Sequence, residues 1–94
     1  MADEEKDVAI AIKYDREKDN APRVIAKGMR LRAEKLKEIA RQYNIPVMRN
    51  VGLANALYRV EVGQEVPEEL YDAVAEVLNF VFVLKQEHEA AQKK

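Results

Sequence analysis

The chain has 94 residues, which is enough for one small domain with a single hydrophobic core. Apolar residues make up 48% of it, charged residues 35%, and the net charge is −1; this is the balance of an ordinary globular protein and gives no whole-molecule case for nucleic-acid binding. The absence of cysteine excludes disulfides and thiolate metal sites. No apolar run approaches the roughly 20 residues that span a bilayer, and the acidic start does not have the pattern of a signal or transit peptide. We therefore expect a soluble cytoplasmic protein.

The first third of the sequence predicts a β-hairpin. Residues 1–7 are polar and are expected to form a flexible lead-in. In Val8–Ile12, β-branched residues alternate with alanines, so both faces are apolar, as in a strand buried on both sides. After a charged loop, Arg23–Lys27 predicts a second strand, which Gly28 ends. A strand that is buried on both sides, as predicted for Val8–Ile12, needs partners on both edges, which is unusual for the first strand of a chain.

The middle of the chain predicts a helix and then a third short strand. The helix should end at Asn44, which tolerates a left-handed conformation, before Pro46. Apolar residues at helical spacing predict its buried face: Met29, Ala33, Leu36, Ala40 and Tyr43, with Ile39 at the edge. Ile45–Met48 reads as the third strand.

Two further helices are predicted in the second half. Asn50 can cap a short helix that carries Leu53, Ala54 and Leu57 on one side. Pro67 favours the first turn of the last helix. The last helix has the strongest apolar stripe of the chain: Leu70, Val74, Val77, Leu78, Val81 and Phe82.

The order of elements is β-β-α-β-α-α, which predicts an α/β fold. We expect a small mixed sheet of about three strands packed with three helices. Residues 8–85 should form the single domain, and residues 86–94 a polar helical tail that frays.

The sequence is poor in catalytic residues. It contains no serine and no threonine, and its three glycines are dispersed. Its one histidine, His88, lies between two glutamates and reads as a surface residue rather than a metal ligand. We expect neither enzymatic activity nor a cofactor nor a metal.

A basic stretch between Arg30 and Arg41 leaves an alternative function open. Such a helix can contact phosphates in a nucleic-acid-binding domain. Glu34 and Glu38 interrupt the stretch, and no aromatic residues interleave with it to stack on bases. A solvated helix face is the simpler explanation, and we expect no nucleic-acid partner.

Five blocks of the sequence occur in a characteristic order: residues 11–15, 21–28, 53–58, 63–71 and 73–78. Together they resemble the cytoplasmic domain of the FlhB/YscU family of flagellar and type III export-switch proteins, and the resemblance extends from about residue 8 to residue 84. It implies a small sheet ringed by helices beneath a membrane-embedded export gate. It also implies a role in changing the exported substrate class when a hook-length control protein signals completion. The implied partners are export-gate membrane proteins, export substrates and that control protein.

The sequence departs from the family at the self-cleavage motif. Members of the family carry Asn-Pro-Thr-His before the first strand, and the asparagine side-chain amide attacks its own main-chain carbonyl. The corresponding residues here are Glu4, Glu5, Lys6 and Asp7, none of which supplies an amide, so we expect no self-cleavage. The strand that precedes the motif is also not found. Gly52 and Asn55 replace a proline and an arginine that are common in the family, which bears on partner recognition.

Two origins and one binding surface remain as expectations. The chain is either a short stand-alone relative that corresponds to the post-cleavage fragment, which its initiating methionine and acidic lead-in favour, or the domain of the full protein with its motif replaced. In the family, a small apolar patch is thought to receive export substrates. The corresponding residues are Ala21, Pro22, Ala75 and Leu78; alternatively, Ala75 and Leu78 belong to the core.

Overall fold

A computed structural model describes residues 7–80, and the predicted hairpin lies at its centre. Strand β1 (Val8–Lys13) pairs antiparallel with strand β2 (Arg23–Met29). Val8 lies opposite Met29 and Lys13 opposite Arg23, with a register irregularity at Ala11/Ile12. The hairpin is confirmed, and β2 continues two residues further than expected.

The second edge of β2 is bridged by residues 63–66. The Val24 N–H donates to the Gln64 carbonyl at 3.1 Å, and the Val24 carbonyl accepts from the Gly63 N–H at 2.7 Å. The Val66 N–H donates to the Pro22 carbonyl at 2.8 Å. Gly63 has a φ of 93°, a conformation that favours glycine and turns the chain into this bridge. β2 is therefore paired on both edges.

Our prediction of a third strand at residues 45–48 is wrong. The segment has no regular secondary structure, and all four of its residues are exposed. Pro46 cannot donate to a ladder, and no face of the segment reaches the core. The third contribution to the sheet is instead a single antiparallel bridge between Arg23 and Glu65. The strand count is thus two rather than about three, while the α/β class is confirmed.

Helix α1 (Leu31–Gln42) follows β2 at once. A Cβ at Gly28 would lie 2.6 Å from the Cβ of Arg32, so glycine permits this close crossing. The helix ends two residues before Asn44, where we predicted its end, and Asn44 itself adopts the left-handed conformation expected of it, with a φ of 57°. The predicted stripe is only partly correct: Ala33 is buried, but Tyr43 is 72% exposed.

Met29, also predicted on that stripe, belongs to β2 and is exposed, as is Ile39. Leu36 and Ala40 are half-buried. The side of α1 that contacts the sheet is therefore narrow.

Helix α2 (Val51–Leu57) begins as predicted, because the Asn50 side-chain oxygen accepts a hydrogen bond from the Leu53 N–H at 3.1 Å. Leu53 and Leu57 are both buried. Lys27 of β2 holds the end of this helix, since its Nζ donates to the carbonyls of Tyr58 at 2.8 Å and Val60 at 3.0 Å.

The last described element is helix α3, whose described part is residues 71–80. A short 3-10 turn, Glu68–Leu70, leads into it after Pro67. Val74 is fully buried, which confirms the centre of the predicted stripe. Among the described residues, the hydrophobic core consists of Val24, Leu53, Leu57, Val60, Val66 and Val74. Val81, Phe82, His88 and the predicted tail lie outside the described residues.

Candidate protein-binding site

The outer edge of β1 is unpaired within residues 7–80, where the sheet consists of β1 and β2 alone. The Arg30 N–H donates to the Asp7 carbonyl at 2.9 Å, in register with the ladder. Backbone groups of an antiparallel strand alternate between its two edges. Ala9 and Ala11 therefore point their N–H and C=O groups towards β2, and Val8 points its own towards the open edge.

The same alternation places two more residues on the open edge. Ile10 follows Val8 by two positions. Ile12 lies opposite Val24, whose backbone groups are used on the far side of β2, so those of Ile12 face outwards too. The edge thus offers three N–H donors and three C=O acceptors at intervals of about 7 Å. That is the pattern to which an added strand binds.

β1 carries little protection against such pairing. Natural edge strands are shielded by charged residues, proline or β-bulges, yet the five residues from Val8 to Ile12 are all aliphatic. The register irregularity at Ala11/Ile12 places its extra residue, Ile25, on β2 rather than on β1. They are half-buried, and the Ile10 and Ile12 side chains pack against the core. The first charged residue of the strand is Lys13, at its exposed end. Within residues 7–80, this edge is therefore apolar and has no strand paired with it.

The four residues predicted to form the substrate patch differ in exposure. Ala21 is only 2% exposed, so it is part of the interior. Pro22 is half-buried, and its carbonyl is held by Val66. Ala75 is exposed, whereas Leu78 is half-buried against the core. Only Ala75 and the uncovered parts of Pro22 and Leu78 are available to a partner, and the patch itself remains a prediction.

Of the four residues that correspond to the cleavage motif, only Asp7 lies within the described residues. Its carboxylate accepts from Lys37 Nζ at 3.3 Å, and Lys37 also pairs with Glu34 at 3.0 Å. The hydrogen bond with Glu34, followed by that with Asp7, raises the pKa of Lys37, while partial burial opposes the shift. The Lys37–Asp7 ion pair ties the second turn of α1 to the residue before β1.

Neither metal ligation nor membrane spanning was found in the described part of the chain. Residues 7–80 hold no group of three or more histidine, cysteine, aspartate or glutamate side chains that could bind a metal. No helix in the same range has the length and apolar character needed to cross a bilayer. Gly52 and Asn55, where the family pattern changes, are both exposed on α2.

Comparison with known families identifies the class of this fold. The model of the "FlhB HrpN YscU SpaS Family" matches residues 5–81. The chain belongs to this family of bacterial export proteins, and the resemblance noted in the sequence is confirmed.

Individual relatives support the flagellar branch. The chain is 51% identical to the flagellar biosynthetic protein FlhB of Aquifex aeolicus over 84% of this chain and 23% of that protein. It is 46% identical to FlhB of Bacillus subtilis over 83% of this chain and 22% of that protein. The chain thus spans less than a quarter of the length of these relatives.

Solved structures show the same fold. The cytoplasmic domain of FlhB from Shewanella putrefaciens matches with a TM-score of 0.77 and 45% identity, over 82% of this chain and 65% of that one. The PscU C-terminal domain matches with a TM-score of 0.75 and 39% identity, over 78% of this chain and 94% of that one.

Proposed function

We propose that this chain is a protein-binding component of the flagellar export apparatus, where it acts as the counterpart of the post-cleavage fragment of the switch protein. It works at the cytoplasmic face of the export gate, in contact with gate membrane proteins, export substrates and the hook-length control protein. Family membership supports a place in the export apparatus, and one structural observation supports the way in which the chain binds there. That observation is the open edge of β1.

The open edge favours binding by strand addition. An extended segment of a gate protein can pair with the outward N–H and C=O groups of Val8, Ile10 and Ile12. Pairing satisfies backbone groups that have no partner within residues 7–80, and it covers the half-buried aliphatic side chains of β1. The chain then completes its sheet with a strand from its partner, and this holds it at the gate.

The test is co-purification with the membrane-embedded part of Bacillus subtilis FlhB expressed without its cytoplasmic domain. Val8→Pro removes one outward N–H at the first residue of the strand, where proline spares the ladder with β2. Val8→Ala is the matched control, because it shortens the side chain and keeps the N–H. We expect the proline variant to weaken the complex about fivefold more than the alanine variant, as for a lost hydrogen bond worth about 1 kcal/mol.

The functional readout is motility of Bacillus subtilis cells whose own FlhB lacks its cytoplasmic domain. The chain should restore motility, and Val8→Pro should reduce it while the melting temperature stays at the value of Val8→Ala. Equal complex formation by the two variants would show that the partner does not pair with this edge. If the unaltered chain does not co-purify with the membrane-embedded part of FlhB, the proposed function itself is wrong.

We also propose that the chain does not cleave itself and has no enzymatic role. The motivation is the absence of an asparagine–proline pair at Glu4 and Glu5. Intact mass spectrometry after several days at neutral pH should show one unchanged species. A defined cut near residue 4 would contradict this proposal.

Export substrates are proposed to bind at the patch that includes Ala75 and Leu78. Ala75→Glu should abolish substrate binding and leave the melting temperature nearly unchanged, because Ala75 is exposed. Ala21→Glu is the contrasting variant: it should unfold the domain, because a charge would enter the interior. Retained substrate binding by a folded Ala75→Glu variant would place the patch elsewhere.

A further inference from the structure

Residues 29–51, hereafter the basic apolar segment, concentrate two properties that the rest of the described chain lacks. The segment has six basic and two acidic residues, a net charge of +4, whereas the remainder of residues 7–80 carries a net charge of −4. It also holds eight of the thirteen large apolar side chains that are exposed in residues 7–80. Positive charge and exposed apolar surface thus lie together in less than a third of the described residues.

Along α1 these properties share one exposed row. Leu31, Lys35, Ile39 and Tyr43 follow one another at intervals of four residues, which places them along one side of the helix. All four are exposed, and Leu31 is 85% exposed. Ala33, the one buried residue of the helix, lies on the opposite side. The row therefore points away from the core.

The connection after α1 continues this surface. The side chains of Ile45, Val47 and Met48 are 55%, 56% and 42% exposed. No backbone hydrogen bond within residues 7–80 uses the N–H or C=O of residues 46–49. Arg41 and Arg49 flank this loop on either side. The aliphatic side chains of this loop can reach the apolar edge of a lipid layer, while its backbone groups and the two arginines stay in the hydrated headgroup region.

Most of the positive charge is not compensated locally. Of the six basic side chains in the segment, Lys37 alone takes part in an ion pair among the described residues. Arg30 and Arg32 lie at the N-terminal end of α1, where a positive charge opposes the helix dipole and adds no stability. These charges are free to interact with an external anionic partner.

We propose that the basic apolar segment docks on an anionic lipid surface. The apolar side chains of the row and of the loop reach the boundary between headgroups and acyl chains, while the backbone of the loop stays among the hydrated headgroups and the arginines meet the anionic headgroups. Lys35 lies in the middle of the apolar row; lysine is depleted at the cores of protein interfaces but extends to the headgroup level when its stem lies in apolar surroundings. A nucleic acid would call for aromatic side chains to stack on bases, and the segment has only Tyr43.

Co-sedimentation of the full chain with lipid vesicles tests the charge contribution. The chain should bind phosphatidylcholine vesicles that contain phosphatidylglycerol, bind pure phosphatidylcholine far more weakly, and lose binding at high salt. Arg30→Gln combined with Arg32→Gln should weaken binding about 25-fold, at about fivefold for each charge. Lys13→Gln combined with Lys18→Gln is the matched control, because β1 places Lys13 about 17 Å along the hairpin from its Val8 end.

A second pair of variants tests the apolar contribution. Val47 and Val62 are almost equally exposed, at 56% and 55%, but only Val47 lies in the segment. Val47→Ser should weaken vesicle binding severalfold and Val62→Ser should leave it unchanged, with both variants retaining the melting temperature. The proposal is overturned by equal binding to both vesicle types, by equal losses in the matched pairs, or by binding to polyglutamate in place of vesicles, which would identify an acidic protein as the partner. None of these outcomes bears on strand addition at β1.

Discussion

The core and the basic apolar segment use similar residues in opposite ways. Around β2, α2 and α3, Leu57, Val66 and Val74 are at most 2% exposed. The segment of residues 29–51 has a similar share of apolar residues to the rest of residues 7–80, yet it buries Ala33 alone. Conformational stability is therefore concentrated in one region, and the other region is left with surface for partners. The difference shows that apolar content alone does not identify the core of a small domain.

The largest effect that tests this comparison is a matched pair of leucine truncations. Leu57 is 1% exposed and Leu31 is 85% exposed. Leu57→Ala should lower the free energy of unfolding by about 2–5 kcal/mol, because it removes buried contacts and leaves a cavity. Leu31→Ala should change it by less than about 0.5 kcal/mol. Chemical denaturation measures both, and similar losses in the two variants would end the distinction between the regions.

A matched pair of glycine substitutions tests the point where the two regions meet. Gly28→Ala brings a Cβ to 2.6 Å from the Arg32 Cβ and 3.0 Å from its carbonyl carbon, so the start of α1 must move. We expect a loss of about 1–3 kcal/mol in the free energy of unfolding. Gly52→Ala meets nothing closer than 3.9 Å and should stabilise α2 by up to about 1 kcal/mol. If thermal denaturation shows that both substitutions stabilise the protein, or that both destabilise it, the close approach of Gly28 to α1 is contradicted.

The smallest expected effect concerns the ion pairs of Lys37. Its side chain is 31% exposed, so Lys37→Gln should cost only about 0.2–1 kcal/mol in the free energy of unfolding. Because the folded pKa of Lys37 is raised, its contribution is present at neutral pH and is lost as the pH rises through that folded pKa. Denaturation at neutral and at strongly alkaline pH should show that the difference in free energy of unfolding between the unaltered chain and Lys37→Gln becomes smaller at the higher pH. If this difference in free energy of unfolding is the same at both pH values, it comes from side-chain packing rather than from the charge of Lys37.

Local signals in the sequence were sufficient for most element boundaries. The alternation in β1, the left-handed Asn44 and the Asn50 cap were all predicted from residues whose conformation is decided by near neighbours. The family was identified from blocks of residues rather than from any one motif, and comparison confirmed it.

Long-range pairing could not be predicted in the same way. Ile45–Met48 has the composition of a strand, but the backbone bridge forms at residues 63–66, because Gly63 turns that segment onto β2. Tyr43 fits the helical period of a buried stripe, yet it lies beyond the part of α1 that reaches the sheet. The exposure of Ala75 and the burial of Ala21 likewise depend on tertiary packing, which the apolar pattern alone does not decide.

Amide hydrogen exchange of β1 tests the central claim most directly, since it reports each backbone N–H separately. In the free chain, the amides of Ala9 and Ala11 should be protected, and those of Val8, Ile10 and Ile12 should exchange rapidly. In complex with the membrane-embedded part of an FlhB relative, all five should be protected. Protection of all five amides in the free chain, or continued rapid exchange of the outward three in the complex, would contradict an open edge that accepts a strand.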